Sequence, residues 1–224
     1  MKSLRTRAIV LRRTNYGEAD RILQLITPDG RQTAIARGVR REKSKLAGGI
    51  ELFAVSDVVL QQGKGDMSIL TSVRLVQFYP HILEHYDRMQ FGYEVLKQVA
   101  KASEIVDEPD WFEITAEVLS ALDAASIDIR LIQTWFYLHH SALLGHELSL
   151  WRDVDGDALD AEAEYRYDVT EMGLRQVAHG DLTADHIKLL RLVNAKPLKV
   201  LVQVGGIDTV LQQCFETARA HAAL

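Results

Sequence analysis

Residues 36–49 read ARGVRREKSKLAGG, and Arg37, Arg40, Arg41, Lys43 and Lys45 put five cations into nine positions against one acid, Glu42. Cations at this density do no covalent chemistry by themselves; they neutralise a polyanion such as a nucleic-acid backbone. Gly38 and the Gly48-Gly49 pair let the backbone fold closely over a ligand. Arg12, Arg13, Lys64 and Arg74 lie in the same stretch of chain, with Tyr16 and Phe53 as rings on which bases can stack. A basic groove with aromatic platforms holds single-stranded nucleic acid without reading its sequence.

Other groups with chemical potential are weaker. His81, Glu84 and His85 have the spacing of a zinc-protease helix, which also needs a third ligand and a buried cleft. No second acidic motif supplies that ligand, so they read as the polar first turn of a connecting helix. Asp153, Asp155, Asp157 and Glu164 occupy positions 1, 3, 5 and 12 of a calcium loop. Ala158 stands where that loop turns on Gly, and no sister loop exists, so a solvated acidic loop is expected. His139 and His140 are neighbours on a helix, one facing the core and one facing out, which suits structural roles. Cys214, the single cysteine, reads as a small core residue; alone it excludes an internal disulfide and every multi-cysteine metal site. No Gly-rich phosphate loop and no Ser-His-acid context is present, so a non-enzymatic binding protein is expected, with no cofactor and no metal.

The elements that must position the basic loop follow from charge and periodicity. The chain is acidic overall, at −5, but residues 1–80 hold 14 Lys+Arg against 7 Asp+Glu, and residues 81–224 hold 12 against 24. This predicts two modules with different partners, 1–80 and 81–224. In the first, short apolar runs alternate with tight turns: Arg7–Arg13, Arg21–Thr27, Arg31–Arg37, Ile50–Gln62 and Met67–Phe78. Five strands in so short a stretch predict a small closed antiparallel barrel, because closure removes exposed edges. From Pro80 the period becomes helical. Pro80 and Pro109 sit where Pro opens helices, Ser126 and Thr183 can cap two more, and Gly205-Gly206 precedes the last. The second module is expected to be all-helical, with one irregular acidic loop at 146–168. No run of 18 apolar residues is present, and the charged N-terminus does not read as a signal peptide. A cytoplasmic protein with no membrane contact is expected.

The run AIVLRRTNYGEADRILQLITPDGRQTAIARGVRREKSKL resembles the N-terminal half of the RecO family of bacterial recombination mediators. The likeness rests on Tyr16-Gly17-Glu18 after the first strand and on the loop from Ala36-Arg37-Gly38 to Ser44-Lys45-Leu46, and covers about 80 residues well. FYPHI at the junction and FYLHHSALLGHELSL in the long helix agree in layout. The resemblance implies an OB-fold followed by a helical domain. It implies binding of single- and double-stranded DNA, annealing of complementary strands, and work with RecR and the single-strand-binding protein to load RecA. Many members of that family carry a four-cysteine zinc site after the long helix. Here Trp151–Asp168 contains no cysteine, so no zinc is expected, and packing by Trp151, Tyr165 and Tyr167 is expected to replace it. An OB-fold adaptor for RNA or protein, without annealing activity, is the alternative. The acidic tail of the single-strand-binding protein needs a basic exception in the acidic module. From His186 to Ile207, Lys188, Arg191, Lys196 and Lys199 face no acid in sequence, and Leu189, Leu190, Leu192 and Val193 can line an adjoining groove.

Overall fold

A computed structural model describes residues 3–63, 65 and 67–223. Five strands come first: β1 (Ser3–Tyr16), β2 (Asp20–Thr27), β3 (Gly30–Ala36), β4 (Ala54–Gln61) and β5 (Ser68–Phe78). They close into a barrel in the order β1-β2-β3-β5-β4, with β4 returning to β1 from Ser3↔Gln61 to Ile9↔Val55. One junction is not antiparallel: β3 and β5 run parallel, Ala34 beside Ser68 and Ile35 beside Ile69. This five-stranded order is that of an OB-fold. Successive residues of a strand face opposite sides, so Ala8 and Val10 of β1 enter the interior with Leu23, Leu25, Ala34, Val58, Leu60 and Leu70. A bulge between Val10 and Arg12 resets the alternation. Beyond it Arg13 takes the inward side opposite Leu23, and Arg12 the outward side opposite Gln24.

The chain turns from strands to helices at 78–80, but the first compact unit runs on to Ala124. Pro80 opens a 3-10 turn (Pro80–Glu84) rather than an α-helix, and α1 (Tyr86–Ile105) and α2 (Asp110–Asp123) follow. Both helices pack on the barrel wall. Ile9, Leu11 and Ile26 face away from the barrel interior and are still buried, because the helices cover them. Arg7 lies over the Phe112 ring at 5.5 Å, and the Arg31 amide donates to Asp107 Oδ1 at 2.8 Å. Arg88 is buried and donates to the carbonyls of Leu122 (2.9 Å) and Ala124 (3.2 Å), placing its charge at the negative end of α2. A division at residue 80 therefore follows the change of secondary structure but not of packing. Residues 1–124 hold 17 Lys+Arg and 17 Asp+Glu, so the charge contrast lies within this unit.

The second unit, 125–224, contains α3 (Ile129–Leu143), the hairpin β6 (Glu164–Asp168) and β7 (Gly173–Val177), α4 (Ala184–Ala195), α5 (Leu198–Leu201) and α6 (Asp208–Ala222). Asp128, not Ser126, caps α3 by accepting from the Arg130 amide at 2.8 Å. The unit is helical as expected, with the β6–β7 hairpin in addition. EYRYD alternates like a strand, although its charged residues suit an acidic loop. Tyr165 is fully buried there, and its backbone pairs with Leu182. The helices behave as their apolar stripes require, α3 against α6 with Trp135, Phe136, Leu211 and Cys214 inside.

Candidate nucleic-acid interface

The loop between β3 and β4 is anchored at both ends while its cations stay in water. Gly38 has φ +63°, a left-handed conformation that favours glycine, and its amide donates to Asp20 Oδ1 at 2.7 Å. Val39 drops into the barrel core. The Arg40 amide donates to the Ala19 carbonyl (2.9 Å) and its guanidinium to the Gly17 carbonyl (3.2 Å), tying the loop to the β1–β2 turn. Arg41 and Ser44 amides close two further turns on the carbonyls of Gly38 and Arg41. At the far end Gly49 is buried, and a Cβ there would collide with the Val73 side chain. Its carbonyl accepts from Ser56 Oγ at 2.8 Å. Gly49 thus serves barrel packing rather than close approach to a ligand.

Arg37, Arg40, Arg41, Lys43 and Lys45 are all exposed, and among the described residues none makes an ion pair. Tyr16 ends β1 beside Gly17 and is 55% exposed, so its ring is available next to the loop. Six of the expected residues are therefore gathered around the β1–β2 turn and the loop it braces. The others are dispersed. Arg12 lies outward on β1, in a groove beside α1. Arg13 is ion-paired with Glu51 at 2.9 Å and donates to the Ile50 carbonyl at 3.3 Å. Arg74 sits on β5, 2.6 Å from Asp57 on β4. Lys64 lies outside the described residues. Phe53 is 1% exposed with φ +57°, its ring 4.8 Å from that of Tyr93, so it is a core residue and cannot stack a base. Two carriers of positive charge that sequence reasoning passed over are Lys97 and Lys101 on α1, which share the Arg12 groove.

In the second unit the four expected partner-binding cations have different surroundings. Lys188 is paired with Asp185 at 3.0 Å. Arg191 donates to the Leu150 carbonyl (2.8 Å) and lies 3.9 Å over the Trp151 ring. Lys196 and Lys199 are exposed, and the Lys196 carbonyl accepts from Trp135 Nε1 at 2.9 Å. Leu189, Leu190 and Val193 are buried in the core and cannot line a groove. A groove of about 360 Å³ does adjoin Arg191, but Leu148, Leu150 and Trp151 form its apolar wall.

The metal-like patterns are otherwise engaged. His81 donates through Nδ1 to Asp123 Oδ2 at 3.2 Å, and this bond raises its pKa. It sits on the 3-10 turn, not the α-helix that a zinc motif uses. Asp153 Oδ1 accepts from the amides of Asp155 (3.0 Å) and Asp157 (2.9 Å), while Glu164 turns to the Gly180 amide at 2.9 Å. Among the described residues no group of three or more His, Cys, Asp or Glu is placed to hold a metal. In the stretch expected to compensate for absent cysteines, Tyr165 is buried with its hydroxyl accepting from the Asp160 amide at 2.8 Å, and Tyr167 meets His221 Nδ1 at 2.9 Å. Trp151 departs from that expectation: it is 69% exposed, with Arg191 over its ring. His140 rather than His139 is the buried member of its pair; His139 stacks on Trp135 at 3.9 Å. Burial pushes the Cys214 thiol up to about 12, so it is an inert core group. No described helix is long and apolar enough to cross a membrane.

The family described as Recombination protein O N terminal matches residues 1–79, which are the barrel and its basic loop. A DNA repair protein RecO of Roseiflexus sp. (strain RS-1) is 33% identical over 212 residues, 88% of this chain and 71% of the relative. One from Dehalococcoides mccartyi is 34% identical over 148 residues, 65% of this chain and 58% of the relative. A third, from Syntrophomonas wolfei, is 28% identical over 178 residues, 73% of this chain and 71% of the relative. The chain thus matches between 58% and 71% of the length of these relatives. The OB-fold barrel, the braced basic loop and a likeness that runs through both units place the chain in the RecO family of DNA repair proteins.

Proposed function

We propose that this chain binds single-stranded DNA through the β3–β4 loop and the tip of the β1–β2 hairpin, and anneals complementary strands. The observation that carries this reading is the loop itself: five exposed cations with no ion pair among the described residues, on a backbone fixed to the barrel by Val39, Gly49 and the Asp20 carboxylate. Phosphates meeting this surface exchange condensed counterions for fixed charge, with little loop ordering left to do. Binding two strands without reading their sequence lets complementary bases find each other, because phosphate contacts position but do not specify. As a recombination mediator the chain acts in the cytoplasm on nucleoid DNA, double-stranded as well as single-stranded. It works with RecR and the single-strand-binding protein to place RecA on single strands, and no step of this role asks for an enzyme's covalent chemistry. The acidic tail of the single-strand-binding protein fits the groove beside Trp151, with Arg191, Lys188, Lys196 and Lys199 supplying positive charge.

The test is annealing of two complementary oligonucleotides, one carrying a donor dye and one an acceptor. The protein should accelerate it, and Arg37→Ala/Arg41→Ala/Lys43→Ala/Lys45→Ala should remove most of the acceleration. Binding of single strands without any acceleration would favour the adaptor reading instead.

A further inference from the structure

The segment 81–124 holds only 3 Lys+Arg against 10 Asp+Glu. One of the three, Arg88, is buried against the end of α2. The remaining two, Lys97 and Lys101, are exposed and one turn apart on α1, roughly 6 Å along the helix. Tyr93, one turn earlier on the same stripe, is 43% exposed, its ring tilted against Phe53 beneath it. These three meet Arg12 and Gln24 of the barrel across a groove of about 490 Å³, floored by Leu11 and Leu96. Its one acid, Glu104, is drawn toward Gln24 at 3.3 Å and Arg31 at 3.9 Å. Among the described residues Arg12, Lys97 and Lys101 make no ion pair. An acidic helix pair thus keeps its two exposed cations for one groove, opposite a third from the barrel and beside an open aromatic ring.

The groove is continuous with the proposed DNA surface. Beyond the β1 bulge, Arg12, Thr14 and Tyr16 share the outward face of the strand, opposite Gln24, Ile22 and Asp20. Four residues of strand cover about 13 Å. That face begins at the groove and ends at the tip where Arg40 grips Gly17. We propose that single-stranded DNA leaving the basic loop runs along this face into the α1 groove, where Lys97, Lys101 and Arg12 take phosphates and Tyr93 stacks a base. This rests on the loop reading and extends it to a second subsite on a helix. An acidic peptide would also be drawn to the cations, but an exposed ring flanked by charges at helical spacing suits bases joined by phosphates.

The experiment measures binding of oligothymidine of about 5 and about 16 nucleotides, the span of OB-fold site sizes, at several salt concentrations. Lys97→Ala/Lys101→Ala should flatten the slope of log K against log salt for the long strand by about 1.4, and leave the short strand unchanged. Both side chains are exposed, so the melting temperature should hold. Tyr93→Leu should weaken the long strand roughly tenfold, and Tyr93→Phe should not. The proposal is overturned if the lysine variant keeps the full slope while the fourfold loop variant loses its share. If the loop variant changes nothing, the loop reading fails separately, and a slope lost only with the lysines places DNA in the groove but denies the continuous track. Loss of an acidic peptide with DNA binding intact would make the groove a protein dock and refute the proposal.

Discussion

The loop's electrostatics make a quantitative prediction. For single-stranded DNA each neutralised phosphate contributes roughly −0.7 to the slope of log K against log salt, so five loop contacts imply about −3.5. The structure decides which residues to remove. Arg40 donates to the Gly17 carbonyl and helps hold the loop to the β1–β2 turn, so its loss mixes binding with architecture. Arg37, Arg41, Lys43 and Lys45 have exposed side chains that make no ion pair among the described residues. Replacing these four by Ala should flatten the slope by about 2.8 and leave the melting temperature nearly unchanged, since exposed substitutions shift stability by about 0.5 kcal/mol or less. Fluorescence anisotropy of a labelled oligonucleotide across a salt series reads the slope. The loss should be uniform over sequences, and Glu42→Ala should tighten binding modestly by removing a local repulsion. A folded fourfold variant with the original slope would refute the argument and move the DNA surface elsewhere on the barrel.

Four further outcomes follow from particular contacts. Gly49→Ala should cost about 1–3 kcal/mol, read by urea unfolding, because the new methyl meets Val73, whereas Gly48→Ala, with open space around it, should cost far less. Burial lowers the His140 imidazole from 6.5 to about 4. Its folded pKa lies below the unfolded one, so stability is full above pH 6.5 and declines as pH falls toward 4, by on the order of 3 kcal/mol. His140→Gln should make that decline shallower in urea titrations at several pH values. Lys188→Glu/Arg191→Glu should weaken an acidic tail peptide, with the Trp151 fluorescence change on binding lost and oligonucleotide affinity kept. Chelator should leave the melting temperature unchanged, since structural zinc would be coupled to folding.

The barrel was legible because its strands are short, period-two and punctuated by Pro28, Gly30 and Gly63, and every such signal is local. The basic loop was legible for the same reason: its charges are adjacent in sequence. What failed was what only tertiary contact decides. The apolar stripes of α1 and α2 announce a buried face but not that the face meets the barrel. Phe53 looked like an available ring, but its backbone turns it beneath Gly92 and Tyr93. In β6 the outward Arg166 and flanking acids masked a strand whose inward residue, Tyr165, is fully buried. Lys97 and Lys101 stand in an acidic segment more than fifty positions after Lys45, the last cation of the loop, and only folding brings them beside Arg12.

The helical cover of the barrel also sets an order of events during synthesis. Ile9, Leu11 and Ile26 are buried by helices that end at Asp123, 45 residues after β5 is complete. At ~5–20 residues per second a ribosome needs roughly 2–9 s to add them. Over that interval the finished strands carry a wet apolar wall, the kind of surface that holdase chaperones grip. Release of a nascent chain halted near residue 80 should therefore yield a sticky barrel, and one halted past 124 a clean one.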